Sequence, residues 1–539
     1  MKVLIVGAGI SGLSAAIGLR RAGHETILLD KSSLSQEVGA AIHVQPNASR
    51  VLLSWGFNTE RARFVTATSG LFAHAKDLKP IDEQFYDHLE SEYGSKFYYS
   101  HRVDLHDELM RLATGEEGEG IPARVRNRAE VVRYNTEAGS VTLKDGTTLS
   151  ADLIIGADGV HSAAVKEVVG FDNPAIPTGV TSLRTLIPIK DILEDEECAD
   201  LMEGLEGRAC YYVMGRSRVI WYPCILCVCF EVLGELMVGC WGWFCEVHAM
   251  GTRSDGIRDS ASSMLICISQ QERNPQPSNH VPGHRKARCR WNIPIDNSVF
   301  LNEARDYHPS LRALLRFLSF SSFVFLFSLP AIFSALLVQS YAWCKVRYLT
   351  KTRKAPEVKL WKLLFRAPLP TWHKGKLVII GDAAHPMLPY QGQAGAQAIE
   401  DGLALGLLLS HLPPSPPSSP SNPSLPSPPL SSSSSSSSSE MNNHPQFTHS
   451  TPSITPTILE ERLQSFEKVR RNRASAMQMF SNVGQDQGEK VKESARPFVE
   501  EGVEVPSNPK EYIEYNFRHD VRKACEQELK RIGAVSAEM

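Results

Sequence analysis

Twelve residues, Gly381-Asp382-Ala383-Ala384-His385-Pro386-Met387-Leu388-Pro389-Tyr390-Gln391-Gly392, constrain this chain more than any other stretch. They follow an apolar run, Leu377-Val378-Ile379-Ile380, that reads as a buried strand. They lead into residues 394–402, which read as the start of a helix. A strand that ends in Gly-Asp and turns through a Pro- and Gly-rich loop sets one carboxylate and several free N–H groups at a helix N-terminus. Such a corner suits a hydroxylated, anionic ligand.

A second segment of the same kind opens the chain. Val3-Leu4-Ile5-Val6 is apolar throughout, as a strand buried on both faces should be. Gly7-Ala8-Gly9-Ile10-Ser11-Gly12 follows, then a helical stretch from Leu13 to Ala22, and then Thr26-Ile27-Leu28-Leu29 capped by Asp30. Gly7 serves the tight turn, Gly9 the close approach of a pyrophosphate, and Gly12 the contact of helix with strand. Asp30 lies 23 positions after Gly7, where an acidic residue accepts from ribose hydroxyls. A glycine turn between core elements is the alternative, and it leaves Asp30 unexplained.

The third segment is Ala151-Asp152-Leu153-Ile154-Ile155-Gly156-Ala157-Asp158-Gly159-Val160-His161-Ser162, again an apolar strand ending in a Gly/Asp turn. With three such segments in this order, the chain resembles the flavoprotein monooxygenases of the para-hydroxybenzoate hydroxylase and salicylate hydroxylase family. Fungal salicylate-hydroxylase-like members are resembled in particular, through Glu37-Val38-Gly39-Ala40-Ala41-Ile42, Pro46-Asn47-Ala48 and Trp361-Lys362-Leu363-Leu364. The resemblance covers most of residues 1–200 and 285–480. It implies an α/β fold, with a Rossmann-like FAD-binding domain and an interleaved mixed-sheet substrate domain, as in para-hydroxybenzoate hydroxylase. Three positions depart from the family pattern. Ala41 stands in place of Gly, Lys166 in place of Arg, and Ala394-Gly395 in place of Gly-Ala. Ala41 and Ala394 each add a methyl group to backbone that approaches the flavin.

By the same resemblance, Gly7, Gly9, Gly12 and Asp30 hold the ADP half of FAD. Asp158 and Gly159 serve both FAD and the reduced nicotinamide, and Asp382 holds the ribityl chain. Ala41, Pro389, Gly392 and Gly395 match positions beside the isoalloxazine ring, and Arg102, opening Arg102-Val103-Asp104-Leu105, matches an arginine near it. On the substrate side Arg184 matches an arginine facing the active site and Tyr222 a neighbouring aromatic, with Tyr211 or Tyr212 as alternatives. Arginine would bind a carboxylate or enolate bidentately and tyrosine would relay a phenol proton. Both residues also fit plain cross-strand pairing. His385, though it titrates near neutrality as a base would, reads as a structural hydrogen-bonding residue. The implied reaction is NAD(P)H- and O2-dependent hydroxylation or epoxidation of an aromatic or secondary-metabolite substrate through a flavin C4a-hydroperoxide. A flavin oxidase or dehydrogenase is the rival enzyme, since the same turns bind FAD without specifying oxygen transfer.

At 539 residues the chain is long enough for two domains. Its 57 basic against 60 acidic side chains, net −3, give no electrostatic case for nucleic acid. Eleven scattered cysteines and no signal-peptide pattern suggest free thiols in the cytoplasm. Cys224, Cys227 and Cys229 lack a matching second pair, so no metal is expected. Residues 1–75, 100–172 and 372–410 with 456–485 would form the FAD-binding domain, and 173–371 the substrate domain. A Pro/Ser-rich stretch, 413–455, cannot bury enough apolar surface to order and reads as a disordered linker. The charged tail, 486–539, carries one docking helix around Tyr512–Phe517.

Two segments break the pattern. One, about 225–279, separates the strand Val219–Cys224 from its expected partner. The other, about 316–355, contains the uncharged run Phe317–Cys344, long enough to span a membrane. Pro330 interrupts that run, basic residues flank both its ends, and it falls inside the substrate domain. Both therefore read as insertions not selected for folding, such as translated intron sequence, which would leave an inactive product. Membrane association through 317–344 and a buried hairpin are the alternatives.

Overall fold

The computed structural model describes residues 1–34, 41–188, 207–214, 217–223, 227–234, 293–294, 307–311, 359–410, 412, 456–483 and 485–534. The chain opens with β1 (Lys2–Val6), α1 (Ile10–Arg21) and β2 (Glu25–Leu29). Next come β3 (Ala41–Val44), α2 (Pro46–Ser54), β4 (Val65–Thr66), β5 (Ser69–His74) and β6 (Pro80–Phe85). After α3 (Leu89–Tyr93) lie β7 (Tyr98–His101), α4 (Arg102–Thr114) and β8 (Arg124–Arg126). A small antiparallel sheet, β9 (Val131–Asn135), β10 (Ser140–Leu143) and β11 (Thr148–Ser150), precedes β12 (Leu153–Gly156) and α5 (Ala164–Val169). Then come β13 (Ile176–Pro188), β14 (Arg208–Met214), β15 (Ser217–Pro223), β16 (Cys227–Gly234), β17 (Ile293–Pro294) and β18 (Lys359–Phe365). The return runs through β19 (His373–Lys374), β20 (Leu377–Ile379) and α6 (Ala394–Leu408). It closes with α7 (Pro456–Phe480), α8 (Pro509–Arg518) and α9 (Val521–Arg531).

The first large sheet has the order β19-β20-β12-β1-β2-β8, parallel throughout except for the edge strand β19. Its central strands are covered on both faces, which is why they read as unbroken apolar runs: Val3 to Ile5, Leu153 to Ile155 and Leu377 to Ile379 are wholly buried. On one face α1 and α6 approach backbone to backbone. A Cβ on Gly406 would sit 2.6 Å from the Gly18 carbonyl oxygen, and one on Gly402 would sit 2.6 Å from the Ser14 Cβ. Small residues four apart on both helices are what permit this approach, and they hold the C-terminal half of α6 against the body of α1.

The second sheet is mixed, as expected, in the order β17-β18-β13-β16-β15-β14-β5-β6. Residues 227–234, inside the stretch read as an insertion, form its strand β16, between β13 and β15. Ser69–His74, grouped by sequence with the FAD-binding residues, runs parallel to β14 in this sheet. The rest of 225–279, the run 317–344 and the 413–455 stretch lie outside the described residues, apart from these eight. Among the described residues no helix is long and apolar enough to cross a membrane.

The tail is more structured than its weak pattern announces. Helix α8 contains the expected Tyr512–Phe517 stretch and buries Tyr512 and Phe517, and Asn508 caps it by accepting from the Glu511 N–H. A further helix, α9, adds Val521, Cys525 and Leu529 to the core shared by β1, α1 and α6. Arg50 on α2 ties the tail down by donating to the carbonyls of Phe517 (3.0 Å) and His519 (2.6 Å).

Candidate active site

The three glycine/acid turns leave the carboxyl ends of β1, β12 and β20, which are adjacent strands of one parallel sheet. In open α/β sheets that edge is where ligands bind. The turns also touch. Gly7 has φ +104°, and any side chain there would collide with the Ala157 carbonyl in front of Asp158. Gly381 has φ +57°, and a side chain there would strike Ser11 in the first turn of α1. A Cβ on Gly12 would strike the Gly7 carbonyl. Gly9 behaves differently. It has ordinary extended dihedrals, φ −77° and ψ −174°, and a Cβ there meets no protein atom within 4 Å. Nothing among the described residues requires a glycine at this position, so the open space is room for a ligand.

The peptide before Gly9 is held from both sides. The Ala8 N–H donates to Asp30 Oδ2 (2.8 Å), and buried His106 on α4 donates from Nε2 to the Ala8 carbonyl (2.8 Å). Asp30 Oδ1 also accepts from the Ser32 N–H (2.8 Å) and hydroxyl (2.6 Å). A carboxylate offers about four acceptor positions, so Asp30 keeps capacity for a ribose hydroxyl. Asp158 accepts from the Tyr134 hydroxyl (3.1 Å), and burial raises its carboxyl above the ordinary range against the pull of Ser162 and Tyr134. Gly159 follows it with φ +83°.

Asp382 is open to solvent, yet protein surrounds it closely enough for desolvation to raise its carboxyl; His385, Arg102 and Arg366 pull the other way. A carboxylate both reachable and encircled lies on the floor of a concavity. No described residue donates a hydrogen bond to it. Arg102, at the start of α4, is thus near enough for its charge to act on Asp382. The remaining predicted flavin contacts gather on β3. Ala41 begins that strand, paired with His101 next to Arg102. Gly395 faces Ile42, and Gly392 (φ +62°) faces His43 and Gln45. Pro389 opens the short turn before Gly392, and Tyr390 and Ala41 pack against one aromatic cluster with Tyr99.

Beneath the loop lies a buried polar network that the sequence patterns did not announce. Asp401 Oδ2 accepts from the Gly381 N–H (3.0 Å) and from His385 Nε2 (2.7 Å). Arg470 on α7 donates to Asp401 (2.9 Å) and to Glu400 (2.5 Å), and all three are wholly buried. Asn47 on α2 also donates to Glu400 (2.5 Å). Burial alone would raise both carboxyls; Arg470 beside both of them, with His385 at Asp401, holds them below their ordinary range. His385 is held within this network, its ring tilted 35° against Trp372 at 5.2 Å, as the structural reading expects.

Arg184 and Tyr222 lie in the second sheet. By register Arg184, Glu231, Ile220, Tyr211 and Phe72 form one cross-strand row. Tyr222 falls in the row two residues away, across from Cys229, which pairs with Leu186. An open groove of about 1200 Å³ between β6 and α8, lined by Phe85, Tyr93, Val503 and Tyr515, contains none of the predicted site residues.

Residues 1–203 match the model of the FAD-binding domain family. An FAD-dependent monooxygenase of Diaporthe leptostromiformis is 32% identical over 473 residues, covering 88% of this chain and 89% of that protein. The chain belongs to the FAD-dependent monooxygenases. It is an oxidoreductase, and its cofactor is FAD. The hispidin-3-hydroxylase of Neonothopanus nambi is 28% identical over 421 residues, 76% of this chain and 80% of that protein. Among solved structures, CtdE in complex with FAD and a substrate superimposes with TM-score 0.62 over 99% of both chains at 16% identity. A salicylate hydroxylase substrate complex gives 0.57 over 98% of both at 20% identity. At such identities they share the fold, and the expected architecture is borne out. The residues present fit FAD: the space at Gly9 and the undonated carboxylate of Asp382 lie along one sheet edge.

Proposed function

We propose that this monooxygenase uses NAD(P)H and O2 to hydroxylate or epoxidise an electron-rich aromatic or secondary-metabolite substrate. The three turns gathered with β3 at one sheet edge support the cofactor site, and the 32% identity to a monooxygenase supports oxygen transfer over an oxidase. The names of the hispidin and salicylate hydroxylases point to the substrate class.

When bound, FAD supplies the redox chemistry, taking a hydride from the nicotinamide and passing electrons to O2. The protein's own part is placement. The N–H groups of the Gly7–Gly12 turn and the start of α1 bind the pyrophosphate, and Asp30 accepts from the ribose. Asp382 accepts from ribityl hydroxyls, while Arg102 contributes positive charge beside it. Pro389, Gly392, Gly395 and Ala41 present backbone and small side chains to the ring, and Asp158-Gly159 completes the wall. Arg184 anchors an anionic substrate group, and Tyr222 holds or relays the proton of a phenol. A cytoplasmic setting belongs to the same proposal.

The test is turnover under heavy oxygen gas with a panel of phenolic and polyketide-like compounds. The expected result is substrate-stimulated NAD(P)H oxidation with one labelled oxygen atom in the product. Peroxide release with no labelled product across the panel would establish an oxidase instead.

A further inference from the structure

Arg366 follows β18, where the chain leaves the second sheet, and is 3% exposed. Its guanidinium reaches three separate carbonyls. Nη2 donates to Val160 in the Asp158 turn (2.7 Å), and Nη1 donates to Ala383 in the Asp382 turn (2.8 Å). Nε donates to Asn173, just before β13 enters the second sheet (3.0 Å). Its own carbonyl accepts from Gln478 on α7 (2.5 Å). The crossings at β13 and β18, and two of the three cofactor turns, are thus tied at one side chain. Lys166, which takes the place of the family's arginine after the Asp158 turn, instead pairs with Asp172 on the surface (3.0 Å).

Carbonyls need donors, and a neutral donor would serve them. Among the described residues, however, no carboxylate forms an ion pair with Arg366. A buried charge left without an anion is unfavourable by several kcal/mol unless another anion shares the region. Burial presses on this guanidinium, and the charges of Asp382 and Asp158 oppose that pressure from a distance. Asp382 is the residue assigned to the ribityl chain, so a cofactor held there would lie within reach of the same charge.

We propose that Arg366 is a positioning residue that locks the Asp158 and Asp382 turns into one body and presents a fixed positive charge to the reduced flavin. Its role rests on the flavin reading above. The clamp acts on affinity, the charge acts on the oxidised-to-reduced equilibrium, and the two effects are separable.

The experiment compares wild type, Arg366→Met, Arg366→Lys and Arg20→Met. Arg20 is an internal control. It is a buried guanidinium that donates to the carbonyls of Leu112, Ala113, Gly115 and Gly120, at the far end of α1 from the cofactor turns. FAD dissociation constant, midpoint potential and apoprotein Tm are measured for each. Arg366→Met is expected to bind FAD at least about tenfold more weakly, and reduced FAD about tenfold more weakly again. For a two-electron couple that second factor lowers the potential by about 30 mV. Arg366→Lys is expected to keep the wild-type potential but not the affinity. Arg20→Met is expected to lose Tm with its potential unchanged. If Arg366→Met has the wild-type potential and only a lower Tm, like Arg20→Met, the proposal is overturned. If Arg366→Met does not fold, Arg366→Lys decides: wild-type affinity or a lowered potential overturns the proposal. If wild type itself binds no FAD, the flavin reading falls first, for a reason distinct from Arg366.

Discussion

Gly9→Ala separates ligand space from protein packing more cleanly than any other substitution in this chain. The Gly9 backbone is extended and open to any residue, and the added Cβ touches no protein atom within 4 Å. The apoprotein should therefore lose about 1 kcal/mol or less, the residual coming from alanine's poorer performance at a helix N-cap. That corresponds to a fall in apoprotein Tm of at most about 4 °C. FAD affinity should suffer far more. A methyl group in the pyrophosphate space displaces one or two charge-assisted N–H bonds, each worth roughly 1.5–3 kcal/mol. A net loss of about 2–4 kcal/mol raises Kd by roughly 30- to 1000-fold. The assay is titration of apoprotein with FAD, followed by flavin fluorescence, beside thermal unfolding without FAD. Unchanged Kd in a protein of unchanged Tm would remove this turn from the cofactor site. A large Tm loss without FAD would make Gly9 a packing residue and refute the reasoning from its empty surroundings.

Gly402→Ala should do the reverse, since its Cβ would lie 2.6 Å from Ser14 atoms and α1 must retreat by nearly an ångström. Overpacking of roughly 1–3 kcal/mol outweighs the ~1 kcal/mol helix gain, so apoprotein Tm should fall, and an unchanged Tm would show that the helices slide freely. Asp382→Ala should lose FAD without lowering apoprotein stability, because desolvation already raises that carboxyl; full flavin occupancy in the purified variant would contradict its assignment. Stability should also fall on acidification. Buried His24 donates from Nε2 to the Leu409 carbonyl while Nδ1 faces the Met1 ammonium, and desolvation with that neighbouring charge lowers its pKa to about 4. Its unfolded value is near 6.5, so the contribution is whole above that pH and is lost as pH falls toward 4, on the order of 2 kcal/mol by pH 5. Urea unfolding at pH 7 and pH 5 should show this loss reduced in His24→Gln, and equal losses in both proteins would exclude it.

Much of the site was legible because its turns combine two local signals, an apolar strand and a glycine next to an acid. Those signals marked Gly7, Asp158 and Asp382, the family resemblance assigned them to one cofactor, and the strand order set them on one sheet edge. The residues that hold the turns in place were not legible. His106 meets Ala8 across 98 positions, Arg366 meets Val160 across 206, and Arg470 meets Asp401 across 69. None carries a local mark, since a histidine or arginine within a helix or after a strand looks the same whether buried or solvated. The contact of Gly402 and Gly406 with α1 did have a local signal, two glycines four apart in an apolar helical stretch, but which helix they meet depends on the sheet order. The strand at 227–234 shows the opposite limit. An unfamiliar segment next to a recognised one was read as an interruption, and its alternating register became visible only against β13 and β15.

The order in which the parallel sheet is threaded has a consequence for how the protein is made. Strand β1 leaves the ribosome some 150 residues ahead of its neighbour β12, and β20 and the Arg470 that steadies Asp401 come later still. At typical synthesis rates of 5–20 residues per second, the nascent glycine turn waits on the order of half a minute before its sheet edge is whole. Through that interval β1 has β2 on one side but not β12 on the other, and so many distant contacts make for slow assembly. The Arg470 contacts behind the Asp382 turn form only once α7 has emerged, so cofactor binding to the finished site would act late in biogenesis, drawing the fold forward by mass action.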